Sequence, residues 1–317
     1  MKILVSGGAG FLGSNLCKRL LDEGNEVIVV DNLLTGSLEN LTDLNQNPHF
    51  RFLERDITED LSDIERVDQI YHLASPASPN LNSSKSYHAL PFETMRVNTA
   101  GTWKLLDKAV LDNAKFLFAS TSEIYGDPLE HPQKESYRGN VSTTGSRSIY
   151  DEAKRFGETI VAAFARSKDV DGRIIRIFNT YGPGMNPDDG RVVIEFIKHA
   201  LKNEPLPVFG TGKQTRSFCY VDDLIEGIIK AMNTDGTKGE IFNLGNPEEY
   251  TILELAEIIK KITNSNSEVK IMGNLPEDDP LKRKPDIGKA KSKLGWEPKI
   301  SVEEGLKKFI EYLKTKS

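Results

Sequence analysis

Lys2-Ile3-Leu4-Val5-Ser6-Gly7-Gly8-Ala9-Gly10-Phe11-Leu12-Gly13 opens the chain, and its reading decides the fold. A short apolar strand runs straight into glycines. The Leu12, Leu16, Leu20 and Leu21 spacing that follows lays an apolar stripe along one side of a helix. Glycines at 7, 10 and 13 allow a tight turn and let the backbone approach a pyrophosphate at the positive end of that helix. Such a pattern gains force only from its surroundings, and here they fit. A second strand over residues 26–30 ends at Asp31, about 20 residues past the glycines, as a dinucleotide site requires. A carboxylate there accepts both ribose hydroxyls and repels a 2′-phosphate, which favours NAD over NADP. The cofactor contacts expected in this half are Gly7, Gly10, Phe11, Leu12, Gly13, Asp31 and Asn32.

Further apolar runs bounded by polar residues lie at 50–53, 69–74, 115–119 and 173–178, alternating with helical stretches such as 92–111. Strands that alternate with helices imply right-handed crossovers and a parallel sheet with ligands beyond the strands' C-terminal ends. Asp56, Ile57, Leu73 and Ala74 then join the cofactor edge, and Ser120-Thr121-Ser122-Glu123 falls beside it. His72 reads as a packed core histidine. Residues 80–90, rich in Asn and Ser, read as a surface loop. Residues 136–148 read as another, ending in a capped helix over 148–165. The fold expected is α/β. A Rossmann-type doubly wound parallel sheet spans residues 1–178, and a smaller C-terminal α/β substrate domain spans 179–317, with some of its segments returning to the first.

Composition narrows the classes. The chain has 317 residues and a net charge of -6, which disfavours nucleic acid as a partner, so an anionic substrate needs local arginines. No apolar run approaches the ~18 residues of a membrane span. Two cysteines, Cys17 and Cys219, give neither a disulfide framework nor a metal cluster, and the five histidines offer no ligand pair at helical spacing. The expectation is a cytoplasmic protein without a metal.

Tyr150 and Lys154 supply the candidate chemistry. Positions four apart share a helix face, so the ammonium can sit beside anything bonded to the phenol and favour its phenolate. Tyr150 becomes a candidate proton acceptor. Spacing alone is indecisive, because Tyr312 also has a lysine four residues on.

The glycine turn, the Ser/Thr cluster at a strand end and the Tyr-x-x-x-Lys together resemble the extended short-chain dehydrogenase/reductases that modify nucleotide sugars. That resemblance implies that Thr121 and Ser122 hold a sugar hydroxyl, Tyr150 takes its proton, and Lys154 tunes Tyr150 and binds the nicotinamide ribose. Longer runs narrow it: Ser120-Thr121-Ser122-Glu123-Ile124-Tyr125-Gly126-Asp127-Pro128, Tyr150-Asp151-Glu152-Ala153-Lys154-Arg155, Asp189-Gly190-Arg191-Val192-Val193, Gln214-Thr215-Arg216-Ser217-Phe218 and Arg283-Lys284-Pro285-Asp286. These are similar to the UDP-glucuronate decarboxylase family over nearly the whole chain. The resemblance implies Asn179, Arg191, Arg216 and Tyr220 as contacts to the UDP-sugar, Glu123 and Arg283 on the C5 and carboxylate side, and a homodimer. Dehydratase relatives carry Asp before Glu where this chain has Ser122-Glu123, so the acid that protonates a departing hydroxyl is missing. Two departures stand out: residues 80–90 are longer and more polar than the family's short aromatic segment with Tyr, and Thr35-Gly36-Ser37 lacks a basic residue common after the glycine. The rivals are an NAD-dependent nucleotide-sugar 4-epimerase, which releases no CO₂, and a non-catalytic NAD-binding scaffold, which has no need of Tyr150 or Lys154.

Overall fold

The computed structural model describes residues 1–275 and 280–316. Its first strand, β1 (Lys2–Ser6), alternates its side chains between two cores: Ile3 and Val5 enter one, Leu4 the other. The same alternation in β2 (Glu26–Asp31) sends Val27 and Val29 to the first face and Ile28 and Val30 to the second. A sheet apolar on both faces must be covered by helices on both. It is completed by β3 (Phe50–Glu54), β4 (Gln69–His72), β5 (Lys115–Thr121), β6 (Gly172–Ile177) and the strand Ile241–Leu244. The seven strands lie in the order Ile241–Leu244, β6, β5, β4, β1, β2, β3, all parallel. This is the Rossmann-type doubly wound sheet read from the sequence. Its topological switch point lies between β1 and β4, where ligands of such sheets bind.

The first crossover helix, α1 (Phe11–Asp22), buries Leu16, Leu20 and Leu21 as the spacing requires. Between β4 and β5 the expected helix is interrupted: α2 (Pro91–Arg96) and α3 (Thr102–Asp112) are joined by a π-helical turn at Val97–Gly101. Gly101 in that turn has no room for a side chain, since a Cβ would come within 2.7 Å of the Ile57 side chain. His72 is a core residue, bonded to Ser6 through Nδ1 at 2.8 Å and to Thr102 through Nε2 at 3.1 Å. Burial keeps it neutral, pushing its pKa down to about 3.

Helix α4 (Ser148–Ser167) packs Ala153, Gly157, Ile160, Val161 and Phe164 inward. Gly157 permits the close approach to β5, because a Cβ there would meet the Phe118 ring at 2.5 Å. The helix lacks the expected side-chain cap: its N-cap is Arg147, and the Ser148 hydroxyl donates to the Gly145 carbonyl at 2.7 Å instead. After β6 come smaller sheets, one of which sets Thr215–Ser217 between Glu249–Thr251 and Lys282–Arg283 and makes Arg283 the register partner of Arg216. Among the described residues no helix is long and apolar enough to cross a membrane.

Candidate active site

The glycine turn is built to hold a dinucleotide. A Cβ on Gly7, whose φ is +78°, would lie 2.5 Å from the Ala74 amide nitrogen, and one on Gly13 would lie 2.1 Å from the Gly7 carbonyl oxygen. Side chains there would fill the cradle that backbone leaves open at the switch point. Gly10, the N-cap of α1, contributes no side-chain cap, so the first-turn amides face that cradle. Asp31 accepts from the Ala9 and Leu33 amides, each at 2.9 Å, and burial pushes its pKa up against those bonds. Asn32 donates to Asp56 at 3.0 Å, and Ile57 is buried behind it. Leu73 extends β4 by donating to the Ser6 carbonyl at 3.0 Å. Phe11, Leu12 and Ala74 are half-buried along the same edge. These residues suit a dinucleotide whose diphosphate meets the helix N-terminus and whose ribose meets Asp31.

Thr121 ends β5, and Tyr150 opens α4 above it; the two are hydrogen-bonded through their side chains. Lys154, one turn on, donates to the Ala119 carbonyl at 2.7 Å and lies 5.8 Å from the Tyr150 ring centre. Burial governs both: it pushes Tyr150 up to about 12, against Thr121 and Arg191, and Lys154 down to about 7, against Glu158. The groups that favour the phenolate here are Thr121 and Arg191 rather than the expected Lys154, and burial outweighs them. Ser122 is buried beside Thr121.

Glu123 follows in the short 3₁₀ turn Ser122–Tyr125, where its own amide donates to the Thr121 hydroxyl at 3.2 Å. Its carboxylate is gripped by two guanidiniums, Arg147 and Arg283. Burial alone would push its pKa up, but Arg147 and Arg283 outweigh that and hold it well below the usual carboxylate range. Arg283 is 2% exposed, donates to the Gly126 carbonyl at 2.8 Å and keeps its Nε without a partner among the described residues. The charged run 282–284 is thus no solvated loop at its centre. Asp151 completes the group. Burial, with the Glu123 charge adding to it, pushes its carboxyl up to about 8, and its Oδ1 has no partner among the described residues. A cavity of about 240 Å³ opens beside it, lined by Gly126, Asn140, Arg147 and Ser148.

Of the expected sugar-nucleotide contacts, Arg191 precedes the helix Val192–Leu201, pairs with Asp189 at 3.1 Å and donates to the Ala77 carbonyl at 3.0 Å. Asn179 holds a buried Nδ2 without a partner among the described residues, and Arg216 sits in the small sheet next to Arg283. Tyr220 is set apart: its ring packs edge-on against Tyr181 at 5.7 Å and against the backbone of Gly305 in the C-terminal helix Val302–Lys316.

Residues 80–90 depart from the expected surface loop. Ser86 and Tyr87 are buried, and the Tyr87 ring stacks on Tyr150, centres 5.1 Å apart and planes 9° from parallel. The polar composition hid this, because the loop's Asn and Ser side chains serve its own turns, as Asn80 does for the Asn82 amide at 3.0 Å. Arg147 was also hidden, inside an irregular stretch that carries no periodic signal. Only its place just before the helix could have pointed to it.

Residues 3–245 match the model of the NAD dependent epimerase/dehydratase family. The chain belongs to that family. It is 50% identical to UDP-glucuronic acid decarboxylase 1 of Arabidopsis thaliana over 98% of this chain and 69% of that protein. It is 49% identical to UDP-glucuronic acid decarboxylase 1 of Danio rerio over 98% of this chain and 72% of that one. Among solved structures it is similar to UDP-glucuronic acid 4-epimerase from Bacillus cereus in complex with UDP-glucuronic acid and NAD, with a TM-score of 0.87, 30% identity and full coverage of both chains. UDP-glucose 4-epimerase from Thermotoga maritima superimposes with a TM-score of 0.90 at 34% identity, covering 100% of this chain and 99% of that one. NAD is the cofactor of the family, and the cradle above fits it.

Proposed function

We propose that this chain is an NAD-dependent UDP-glucuronate decarboxylase, converting UDP-glucuronate through a UDP-4-keto intermediate to UDP-xylose and CO₂. The observation that carries the reading is Glu123. Held ionised between Arg147 and Arg283, it has no proton to give a departing hydroxyl, so the site suits loss of a carboxylate better than loss of water. Identity of about half with UDP-glucuronic acid decarboxylases over nearly the whole chain supports the same choice.

Tyr150, bonded to Thr121 and near Lys154, removes the proton of the sugar's C4 hydroxyl, while Thr121 and Ser122 orient that hydroxyl. Bound NAD⁺ supplies a hydride acceptor at C4 and, once reduced, the donor that restores the alcohol. A ketone at C4 stands β to the C6 carboxylate, so CO₂ leaves into an enolate that is then protonated at C5. Arg283 grips the carboxylate side and Glu123 orients the ring, or a water, near C5. Arg191, Arg216 and Asn179 hold the UDP portion, with Tyr220 supporting that wall from within the smaller domain. Residues 1–178 hold the cofactor and 179–317 mainly the nucleotide sugar.

A 4-epimerase that accepts UDP-glucuronate also meets the carboxylate, so carboxylate binding by itself does not separate the two activities; the fate of C6 does. Incubation with UDP-glucuronate and NAD⁺ should give a product lighter by CO₂ without net accumulation of NADH. A product of unchanged mass would make the protein an epimerase instead.

The assembly is a homodimer. What supports this is that Phe92 and Met95 on α2, Trp103 and Leu111 on α3 and Phe156 on α4 expose apolar side chains on adjacent helices, a face that suits cover by a second copy. A monomeric mass by light scattering would contradict this. Cys17 and Cys219, both buried free thiols, suit a reducing cytoplasm. Cell fractionation that placed the protein in an oxidising compartment would overturn that placement.

A further inference from the structure

Loss of CO₂ leaves the site one proton short. When the bond between C5 and C6 breaks, its electron pair passes into the enolate, and C5 must then take a proton. The proton that Tyr150 lifts from the C4 hydroxyl goes back to that oxygen when hydride returns. Each turnover therefore draws one proton from solvent, which epimerisation at C4 does not. A route for it is built beside the charged group. The exposed residues Asp127, Asn140 and Ser142 rim the cavity of about 240 Å³ whose inner wall includes Gly126, Arg147 and Asp151, a space with room for several waters. Its rim is fixed, because the Asn140 side-chain amide donates to the Asp127 carbonyl at 3.0 Å and the Asp127 amide donates to the Asn140 carbonyl at 3.2 Å. Its inner wall joins the carboxylate end of the site: the Gly126 carbonyl accepts from Arg283 at 2.8 Å, and Arg147 grips Glu123.

Asp151 is the acid at the inner end. An acid in the first turn of a helix is ordinarily exposed and ionised, since the helix N-terminus favours its charge. Asp151 holds that position in α4 yet is 4% exposed, and its Oδ1 has no partner among the described residues, a cost that native proteins accept mainly where a ligand or water will meet the group. The charges that reach it are Glu123 from the 3₁₀ turn, Arg147 just ahead of α4, Arg283 from the small sheet and Glu152 beside it. The Tyr87 and Tyr150 phenols lie within reach of its own charge. Burial and Glu123 outweigh the two arginines, so the carboxyl keeps its proton at neutral pH. Glu123, held ionised, has none to give. Two neighbouring carboxyl groups pushed apart in this way divide the work of holding a proton and of orienting its acceptor.

We propose that Asp151 stores the proton that decarboxylation consumes, passes it toward C5 by way of a water that Glu123 orients, and is refilled from solvent through the cavity. This rests on the decarboxylase reading above. As C5 gains a proton from that water, the water takes the proton of Asp151, and the carboxylate left behind is reprotonated from the cavity. Asp151 thus acts through Glu123 and its water and is a positioning residue for the proton, not a group that touches the sugar.

The test separates protonation from CO₂ loss within a single turnover. NAD-loaded protein in excess is mixed with UDP-glucuronate labelled at C6, and CO₂, UDP-xylose and the near-ultraviolet absorbance of bound NADH are followed together. In the unmodified protein at neutral pH, UDP-xylose should keep pace with CO₂. In Asp151→Asn, UDP-xylose formation should trail CO₂ release by about tenfold or more, with NADH persisting in the interval. UDP-xylose that keeps pace with CO₂ in the variant, or both steps slowed alike, would make Asp151 a structural support and overturn the proposal. A second readout needs no substitution: in the unmodified protein the same lag should open as pH rises through about 8, where Asp151 loses its proton, and its absence above that pH would overturn the proposal as well. CO₂ release without either lag removes this proposal alone, whereas no CO₂ from the unmodified protein removes the decarboxylase reading and this proposal with it.

Discussion

The turn after β1 and the charged group after β5 solve different problems with different materials. The first is made of backbone: Gly7, Gly10 and Gly13 leave space, the α1 amides face it, and Asp31 is fixed by two nearby amides. The second is made of side chains gathered from distant places, with Tyr87, Glu123, Arg147, Asp151 and Arg283 meeting only when the fold closes. Its buried atoms are also less satisfied, with Tyr87 Oη, Asp151 Oδ1 and Arg283 Nε lacking partners among the described residues. A cradle for a cofactor can be complete before the ligand arrives. A site for a charged sugar keeps donors and acceptors in reserve, at a cost in stability.

Replacement at the hinge between the two regions should have the largest effect. Tyr150→Phe removes the proton acceptor and should lower kcat by about a thousandfold or more, with affinity for UDP close to that of the unmodified protein. Turnover within tenfold of normal would assign the proton transfer to another group. A smaller and more discriminating pair comes next. Arg283→Ala should slow CO₂ release on the order of a hundredfold while the protein still retains NAD. Gly13→Ala, forcing a Cβ against the Gly7 carbonyl, should strip NAD from the purified protein while UDP binding persists. If both variants lose both ligands alike, the two regions are one cooperative unit and the contrast fails.

A further effect, read on the fold rather than on turnover, is a pH dependence of stability. Asp151 titrates at about 8 in the folded protein, because burial and the Glu123 charge disfavour its ionised form, and near 4 when unfolded. The folded state therefore binds more protons than the unfolded between those values, and stability falls as pH rises through that window. Asp151→Asn, which cannot ionise, should match the unmodified protein in thermal stability near pH 4 and exceed it increasingly up to about pH 8. A constant difference across that range would show that Asp151 ionises normally.

How much of this was legible beforehand follows the same division. The strand, glycine turn and helix of residues 2–22 could be read because every partner is local and the apolar period changes from two to 3.6 within a few residues. The Tyr150 and Lys154 pair was legible as a spacing, yet their shared burial, which moves the Tyr150 pKa against the expected direction and lowers that of Lys154, depends on how closely Gly157 lets α4 settle on β5. Arg283 was suspected only through family likeness, since a charged run gives no sign of which member turns inward. Tyr87 and Arg147 were missed because both lie in polar, aperiodic stretches whose local hydrogen bonding masks the one side chain that points to the site. The capping expectation at Ser148 failed for a related reason: its hydroxyl found the Gly145 carbonyl first.

The most direct measurement follows the sugar's sixth carbon. Purified protein saturated with NAD⁺ and given UDP-glucuronate labelled at C6 should release that label as CO₂, with UDP-xylose formed in equal amount. Label that stays wholly on the nucleotide sugar, whether the C4 centre inverts or remains as it was, would contradict the account.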